Sequence, residues 1–303
     1  MSNEFSKNIY YGHIIKGDLT GAISYVNKFP EQVDLYNKFL AVFEQEHYTT
    51  YELDADITEI LTIYQQYYRD AFYLCIGKEE AADKLKARLT TFFGITDENI
   101  VLCDLEQNQI ADAFLSRGLQ FLGGKSSGYY GPYIWRTTET VAYEVELPDG
   151  IQVYTVKLLD GFITRSWIDY LSFGEIGTGG WADGDGVINC VKSAYDFDSE
   201  NFKVSLLKHE AQHARDLEMD KDMSSEDLEY RAKLVELIYS SERDLLKQFI
   251  QEADTSDNNN GHAVASNRIV EGFSKILGKE SAKLCSLPIE QIQSIAKLLF
   301  NEK

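Results

Sequence analysis

The spacing of apolar residues changes twice along the chain, and this order of patterns limits the folds that the sequence can adopt. Up to about residue 125, apolar and aromatic side chains recur at three-and-four spacing, most clearly over residues 57–72. This spacing is typical of helices with one buried face. Over residues 137–159 the pattern alternates instead, and after residue 199 the helical spacing returns. Strands grouped between two helical regions predict an α+β fold.

The strands of the middle region have recognisable boundaries. Residues 137–147 and 151–159 alternate between apolar and polar side chains on either side of Pro148-Asp149-Gly150, which predicts a β-hairpin with a tight turn. Two more short strands are predicted, over residues 166–173 and 187–191. We therefore predict a mostly helical N-terminal region over residues 1–125 and a second domain over residues 126–303.

Charge and composition exclude several classes of protein. The 303 residues include 29 Lys and Arg against 49 Asp and Glu, a net charge of −20, which repels phosphate backbones and argues against nucleic-acid partners. No apolar run approaches the roughly 18 residues of a membrane span, and the first residues lack the pattern of a signal peptide. The four cysteines are scattered without a C-x-x-C pair. We therefore expect a cytoplasmic protein without membrane partners.

The segment His209-Glu210-Ala-Gln-His213 carries the H-E-x-x-H pattern inside a stretch of helical spacing. Residues i and i+4 lie on one face of a helix, so both imidazoles can point at one metal ion. Such a pair supplies two of the three protein ligands of a catalytic zinc, whose fourth position is left to water. Glu210 then lies beside the metal, where its carboxylate can accept a proton from zinc-bound water. The segment predicts a zinc-dependent hydrolase.

The residues that follow narrow the type of zinc site. Met219 occupies the position of the third ligand in a metzincin, which excludes that class. The stretch Ser224-Ser-Glu-Asp-Leu-Glu229 predicts instead a second helix with a serine cap and an acidic first turn. This arrangement resembles the gluzincin clan of zinc metallopeptidases, in which a glutamate ligand lies on a helix after the H-E-x-x-H helix.

The resemblance implies a set of site residues. His209, His213 and Glu229 would be the zinc ligands, and Glu210 would be the general base. The stretch between His213 and Glu229 is shorter than is expected for a large gluzincin. Two other glutamates therefore stay open as the third ligand, Glu226 and Glu236.

The resemblance also implies a fold and a partner. Residues 126–303 would form a zincin-like catalytic domain with a small mixed sheet and the active-site helices. Residues 187–191 would be the edge strand that lines the substrate cleft. An edge strand offers backbone hydrogen-bonding groups to an extended chain, so a peptide or protein substrate is expected.

Accessory residues are predicted around this centre. Asp216 is interpreted either as the acceptor of the free N–H of a zinc-bound imidazole or as an acid on the helix surface. Arg231 is interpreted as a solvated arginine, and a pair with Asp216 or contact with substrate are the alternatives. His262 is the predicted donor to the oxyanion of the reaction. Tyr230 and Tyr239 are the alternative donors.

The function predicted from the sequence is therefore peptide-bond hydrolysis by Glu210-assisted attack of zinc-bound water. Two alternatives stay open at this point. The first is a metal-dependent hydrolase of a non-peptide amide or ester. The second is a catalytically silent zincin-like binding protein, against which the intact Glu210 argues.

Overall fold

The structure, a computed structural model, describes residues 4–97, 99–182, 186–253, 261–278 and 280–302. The chain divides into two compact units, of which unit 1 comprises Met1–Thr137 and Gly161–Thr178, and unit 2 comprises Thr138–Asp160 and Gly179–Lys303. Helices predominate and the sheets are small, which confirms the predicted α+β class. Residues 126–137 thus group with the N-terminal helices, whereas the sequence-based boundary lies between residues 125 and 126.

The helices of the described residues are α1 (Lys7–Ile15), α2 (Leu19–Val26), α3 (Val33–Phe39), α4 (Ala55–Tyr68), α5 (Lys78–Phe93), α6 (Leu102–Leu105), α7 (Ala111–Leu115), α8 (Ser166–Leu171), α9 (Leu207–Met219), α10 (Ser225–Tyr239), α11 (Asp244–Glu252), α12 (Gly261–Leu277) and α13 (Ile289–Asn301). The strands are β1 (Gln120–Leu122), β2 (Lys125–Ser126), β3 (Tyr129–Tyr130), β4 (Tyr133–Trp135), β5 (Thr137–Leu147), β6 (Gly150–Asp160), β7 (Thr164–Arg165), β8 (Gly180–Ala182) and β9 (Val187–Val191). Within the described ranges, no helix combines the length and the apolar character that a membrane crossing requires.

Unit 1 is built around an aromatic core beneath α4, which continues into a π-helical turn, Arg69–Tyr73. Its strands form a three-stranded sheet in the order β1-β4-β7 and a separate β2-β3 pair. Phe72 and Trp167 stack in this core with ring centroids 4.9 Å apart. The helical spacing of residues 57–72 is therefore explained by burial of one face of α4 and its π-helical extension.

The strand predicted over residues 166–173 is wrong, because this segment forms α8. Its buried side chains Trp167, Tyr170 and Leu171 follow helical spacing. The Asp169 carboxylate accepts hydrogen bonds from the backbone N–H and the guanidinium of Arg165. These contacts satisfy a backbone donor at the start of the helix, where no earlier turn supplies an acceptor.

Unit 2 contains a mixed four-stranded sheet in the order β5-β6-β9-β8. The predicted hairpin is confirmed as β5 and β6, with Gly150 at positive φ directly after the turn. Strand β9 pairs in parallel with β6 and antiparallel with β8. The prediction that residues 187–191 form an edge strand is therefore wrong, and the edge on this side of the sheet is β8.

Helices α9 and α10 lie side by side in unit 2. One face of α9 is buried in the same core as the sheet through Leu207, Ala211 and Ala214, whose spacing brings them to one side of the helix. The serine cap predicted for the second helix is confirmed, since the Ser224 hydroxyl accepts a hydrogen bond from the backbone N–H of Asp227 at 3.2 Å. The face of α9 that carries both histidines is therefore directed towards α10.

Unit 1 contains a buried carboxyl group whose ionisation should affect stability. Glu106 accepts a hydrogen bond from the Tyr64 hydroxyl at 2.6 Å, and burial raises the pKa of Glu106 to about 7. The folded chain therefore holds this proton at pH values where the unfolded chain has released it. As pH rises from about 4.5 to about 7, this site should reduce the free energy of unfolding by on the order of 3 kcal/mol.

We expect Glu106→Gln to remove this loss, because the glutamine oxygen still accepts from Tyr64 and carries no charge. Urea unfolding at pH 5 and pH 8 measures the effect as a smaller fall in stability for the variant than for the wild type. The matched control is Glu52→Gln at an exposed position, which should keep the wild-type dependence. An equal fall in Glu106→Gln and the wild type would contradict the prediction.

Candidate metal centre

Three side chains from α9 and α10 converge in unit 2. His209, His213 and Glu229 each offer one ligand atom, and these atoms all lie within 4.8 Å of one another. Glu229 Oε2 lies 3.5 Å from His209 Nε2, and Glu229 Oε1 lies 3.8 Å from His213 Nε2. Donors about 2.1 Å from a tetrahedral zinc ion would be separated by roughly 3.4 Å. The spacing of the three side chains thus suits a single metal ion.

The polar atoms of this cluster also suit a metal ion. His213 Nε2 is buried and has no hydrogen-bond partner in the part of the chain that the structure describes. Buried polar atoms are rarely left without a partner, since each costs about 1–3 kcal/mol. Two imidazoles and one carboxylate are also the ligand set of many catalytic zinc sites. A divalent cation would give His213 Nε2 the partner that it lacks.

A second carboxylate holds the ring of His209 from its other side. Glu236 Oε1 lies 2.7 Å from His209 Nδ1, and both groups are buried. A carboxylate at Nδ1 fixes the tautomer in which Nε2 carries the lone pair for a metal. The structure thus places Glu229, rather than Glu236, on the Nε2 side of both histidines. Glu226 lies in the first turn of α10 and is not a member of the cluster.

The two histidines have opposite electrostatic surroundings. Burial lowers the pKa of His213 to about 4, and the neighbouring His209 adds to this shift. The imidazole of His213 is therefore neutral at neutral pH, as metal binding requires. Burial would also lower the pKa of His209, but the carboxylates of Glu229 and Glu236 outweigh burial and raise it. A metal ion that binds at Nε2 would have to displace the proton that these carboxylates favour.

Glu210 lies on the same helix as the histidines, and its Oε2 is 3.8 Å from His213 Nδ1. Burial raises the pKa of Glu210, while the positive charge of His209 and the backbone N–H of Ala182 oppose this shift. Ala182 belongs to β8, so the edge strand of the sheet adjoins the general base predicted from the sequence. A carboxylate with a raised pKa is well suited to accept and return a proton near neutral pH.

A cavity of about 620 Å³ adjoins the cluster, and His209, Glu210 and His262 are among its lining residues. Ligand pockets typically have volumes of about 300–1,000 Å³. His262, the second residue of α12, lies with its Nδ1 2.9 Å from Glu229 Oε2, and its side chain is 56% exposed. The structure thus brings His262 to the same cavity as His209 and Glu210, and its role as a donor to the oxyanion stays a prediction.

Asp216 and Arg231 pair with each other, which was one of the alternatives predicted for Arg231. Asp216 accepts hydrogen bonds from Arg231 Nε, 2.9 Å from each carboxylate oxygen, and from Gln212 Nε2. The prediction that Asp216 accepts from a ligand imidazole is therefore wrong, because Glu236 makes that contact and the Arg231 pair occupies Asp216. The Asp216–Arg231 pair instead joins α9 to α10 and so fixes the spacing between the histidines and Glu229.

The tyrosines proposed as oxyanion donors also lie elsewhere. Arg268 covers the ring of Tyr230 at 4.2 Å, and Lys208 Nζ lies 3.9 Å above the ring of Tyr239. Neither tyrosine lines the cavity, whereas Tyr195 does. Burial raises the pKa of Tyr195 to about 12, so its hydroxyl keeps its proton and can donate.

The residues of the cavity wall that sequence reasoning missed include Tyr195, Lys233 and Glu252. Lys233 had a detectable signal, since it lies four residues after Glu229 and therefore on the same face of a helix. Tyr195 and Glu252 come from segments outside α9 and α10, and no spacing in the sequence indicates that they approach the centre.

Comparisons with protein-family models, with curated proteins and with solved structures found no significant match to this chain.

Proposed function

We propose that this protein is a zinc metallopeptidase of the gluzincin type. The observation that carries the proposal is the convergence of His209, His213 and Glu229 on one point, with Glu210 beside them at a cavity. A bound zinc ion would lower the pKa of a water molecule and polarise the scissile carbonyl. The partner is an extended peptide or protein substrate.

The roles of the side chains follow from their positions. Glu210 removes a proton from the attacking water and returns it to the leaving nitrogen, for which its buried position and raised pKa are suitable. Glu236, by its contact with Nδ1 of His209, would favour the tautomer whose Nε2 is available to a bound metal ion. His262 donates a hydrogen bond from the cavity mouth to the substrate oxygen that becomes negatively charged. If an extended substrate lies along an edge strand, as in the family that the sequence resembles, that strand is β8.

The ligand types favour zinc over harder cations. Magnesium and calcium prefer sites built from oxygen ligands, whereas two imidazoles with one carboxylate suit zinc.

The proposed compartment is the cytoplasm. All four cysteines are free thiols, and thiols persist under reducing conditions.

Metal content is the test of this proposal. We expect about one zinc per chain in the wild-type protein and none in the His209→Ala/His213→Ala double variant, because the variant lacks two of three ligands. Elemental analysis of untagged protein, after zinc is supplied and excess is removed, gives the stoichiometry. A circular-dichroism spectrum of each protein controls for the fold.

A peptide-library digest by the zinc-loaded protein, with and without chelator, then tests catalysis. Chelator-sensitive cleavage supports the metallopeptidase. Zinc binding without cleavage of any peptide would favour the hydrolase of a non-peptide amide or ester, or the silent zincin-like binding protein. Absence of zinc from the wild type would contradict the metal centre itself.

A further inference from the structure

The cavity beside the centre carries more charge than the proposed chemistry uses. Among the described residues, its lining includes the carboxylates of Glu210, Glu236 and Glu252, the ammonium group of Lys233, and the imidazoles of His209 and His262. Glu210 is the proposed general base, and Glu236 is engaged by His209. Glu252 has no role in metal binding or proton transfer, although it lies in the wall of the same cavity.

The surroundings of Glu252 leave part of its carboxylate available. Its Oε2 accepts from Lys233 Nζ and from the Ser266 hydroxyl, each at 2.7 Å. Its Oε1 makes no hydrogen bond to any residue within the described ranges. The side chain of Glu252 is 38% exposed, whereas that of its partner Lys233 is 6% exposed. The accessible charge of the pair is therefore the negative one.

Lys233 is poorly placed to bind an anion. Its ammonium group is held by Glu252 Oε2 and lies 4.2 Å from the centroid of the Phe249 ring. An anionic ligand would have to approach this buried group past three carboxylates, and like charges at close range disfavour binding. Around Glu252, at a distance along the chain from the histidines, the exposed charge is therefore negative, which favours a cation at this part of the cavity wall.

The neighbours of Glu252 are suited to a cation with several N–H donors. Gln251 and Glu252 lie three and four positions after Gln248 on α11, and all three residues line the cavity. Their spacing brings them to one face of the helix, so two amide oxygens can accept hydrogen bonds beside the carboxylate. Lysine, arginine and a free amino terminus all present several N–H donors.

We propose that this cavity binds a positively charged nitrogen group of the substrate, with Glu252 as its principal acceptor. The group is the side chain of a lysine or arginine near the scissile bond, or the free α-amino group of the peptide. The inference rests on the proposed peptidase function, because His209 and Glu210 line the same cavity. It assigns to Glu252 the selection of substrate and not the chemistry.

Two pairs of peptides distinguish the two sources of charge. The first pair has an acetylated amino terminus and differs by lysine or norleucine beside the cleaved bond. The second pair contains only norleucine at that position and has a free or an acetylated amino terminus. In at least one of the two pairs, we expect the wild-type protein to cleave the cationic peptide about tenfold more efficiently than the neutral one. The measured quantity is the ratio of the two kcat/KM values.

Two variants should change this ratio in opposite directions. Glu252→Gln should lower it by about tenfold, because the acceptor loses its charge. Lys233→Met should raise it, because the competing ammonium group is removed while the length of the side chain is retained. The control Glu290→Gln, at an exposed position of α13 outside the cavity, should leave the ratio unchanged.

The outcomes separate this inference from the proposed function. Cleavage with no preference for charge, or with a preference that Glu252→Gln does not reduce, overturns the cation site and leaves the peptidase intact. If no peptide is cleaved at all, calorimetric titration of zinc-loaded Glu210→Gln protein with the lysine and norleucine peptides tests the cavity directly. Equal affinity for the two peptides in that titration overturns the inference, and tighter binding of the lysine peptide supports it.

Discussion

The Glu210→Gln protein is expected to keep about one zinc per chain and to lose peptide hydrolysis by on the order of 100- to 10,000-fold in kcat/KM. Glutamine has nearly the shape of glutamate but cannot accept the proton of the attacking water. The carboxylate of Glu210 lies beside His213 rather than among the three converging ligand atoms. Its loss should therefore affect proton transfer and leave the binding of the metal largely unchanged.

Elemental analysis and steady-state kinetics on the same preparations separate these two effects. Glu218→Gln is the matched control, because Glu218 lies on α9 with an exposed side chain that contacts Arg215 outside the centre. It should retain both zinc and activity. A Glu210→Gln protein with wild-type activity would contradict the proposed mechanism, and one without zinc would mean that Glu210 is itself a ligand.

The cluster of His209, His213 and Glu229 was more predictable from the sequence than the sheet of unit 2. The positions of His209 and His213 on one face of α9 follow from helix geometry alone. The start of α10 follows from the local chemistry of the Ser224 cap. Both signals involve residues within a few positions of each other, and for that reason they can be read without knowledge of the fold.

The features that were missed depend on contacts between distant segments. Strand β9 is internal because it pairs with β6 on one side and β8 on the other, and neither pairing leaves a trace in the apolar pattern of residues 187–191. Segment 166–173 is rich in aromatic and apolar side chains, which suits a strand or a short buried helix equally. Its helical state becomes clear only when the burial of Trp167 in the unit 1 core is known.

The choice of Asp216 as the partner of a ligand imidazole was wrong for a related reason. Asp216 lies three residues after His213, so helix geometry makes it a reasonable candidate. The actual partner of His209 is Glu236, which is 27 residues away in the sequence. Among the glutamates at positions 226, 229 and 236, the resemblance favoured Glu229. The packing of α10 against α9 brings Glu229 to both histidines and Glu236 to Nδ1 of His209.

Metal affinity should rank these three glutamates. We expect Glu229→Ala to weaken zinc binding by more than about 100-fold, because it removes one of three ligands. Glu236→Ala should weaken it by about 10- to 100-fold, the range typical of a group that orients a ligand histidine. Glu226→Ala should have no effect, because Glu226 lies outside the cluster.

Competition for zinc against a chromophoric chelator, at one fixed pH, gives the three dissociation constants on a common scale. The pH must be fixed because zinc competes with the proton that Glu229 and Glu236 favour on His209. Thermal unfolding of each metal-free variant distinguishes loss of a ligand from loss of the fold. If Glu236→Ala caused the largest loss, Glu236 would replace Glu229 as the third ligand. The proposed metal centre would then require His209 to bind through Nδ1, since that is the nitrogen facing Glu236.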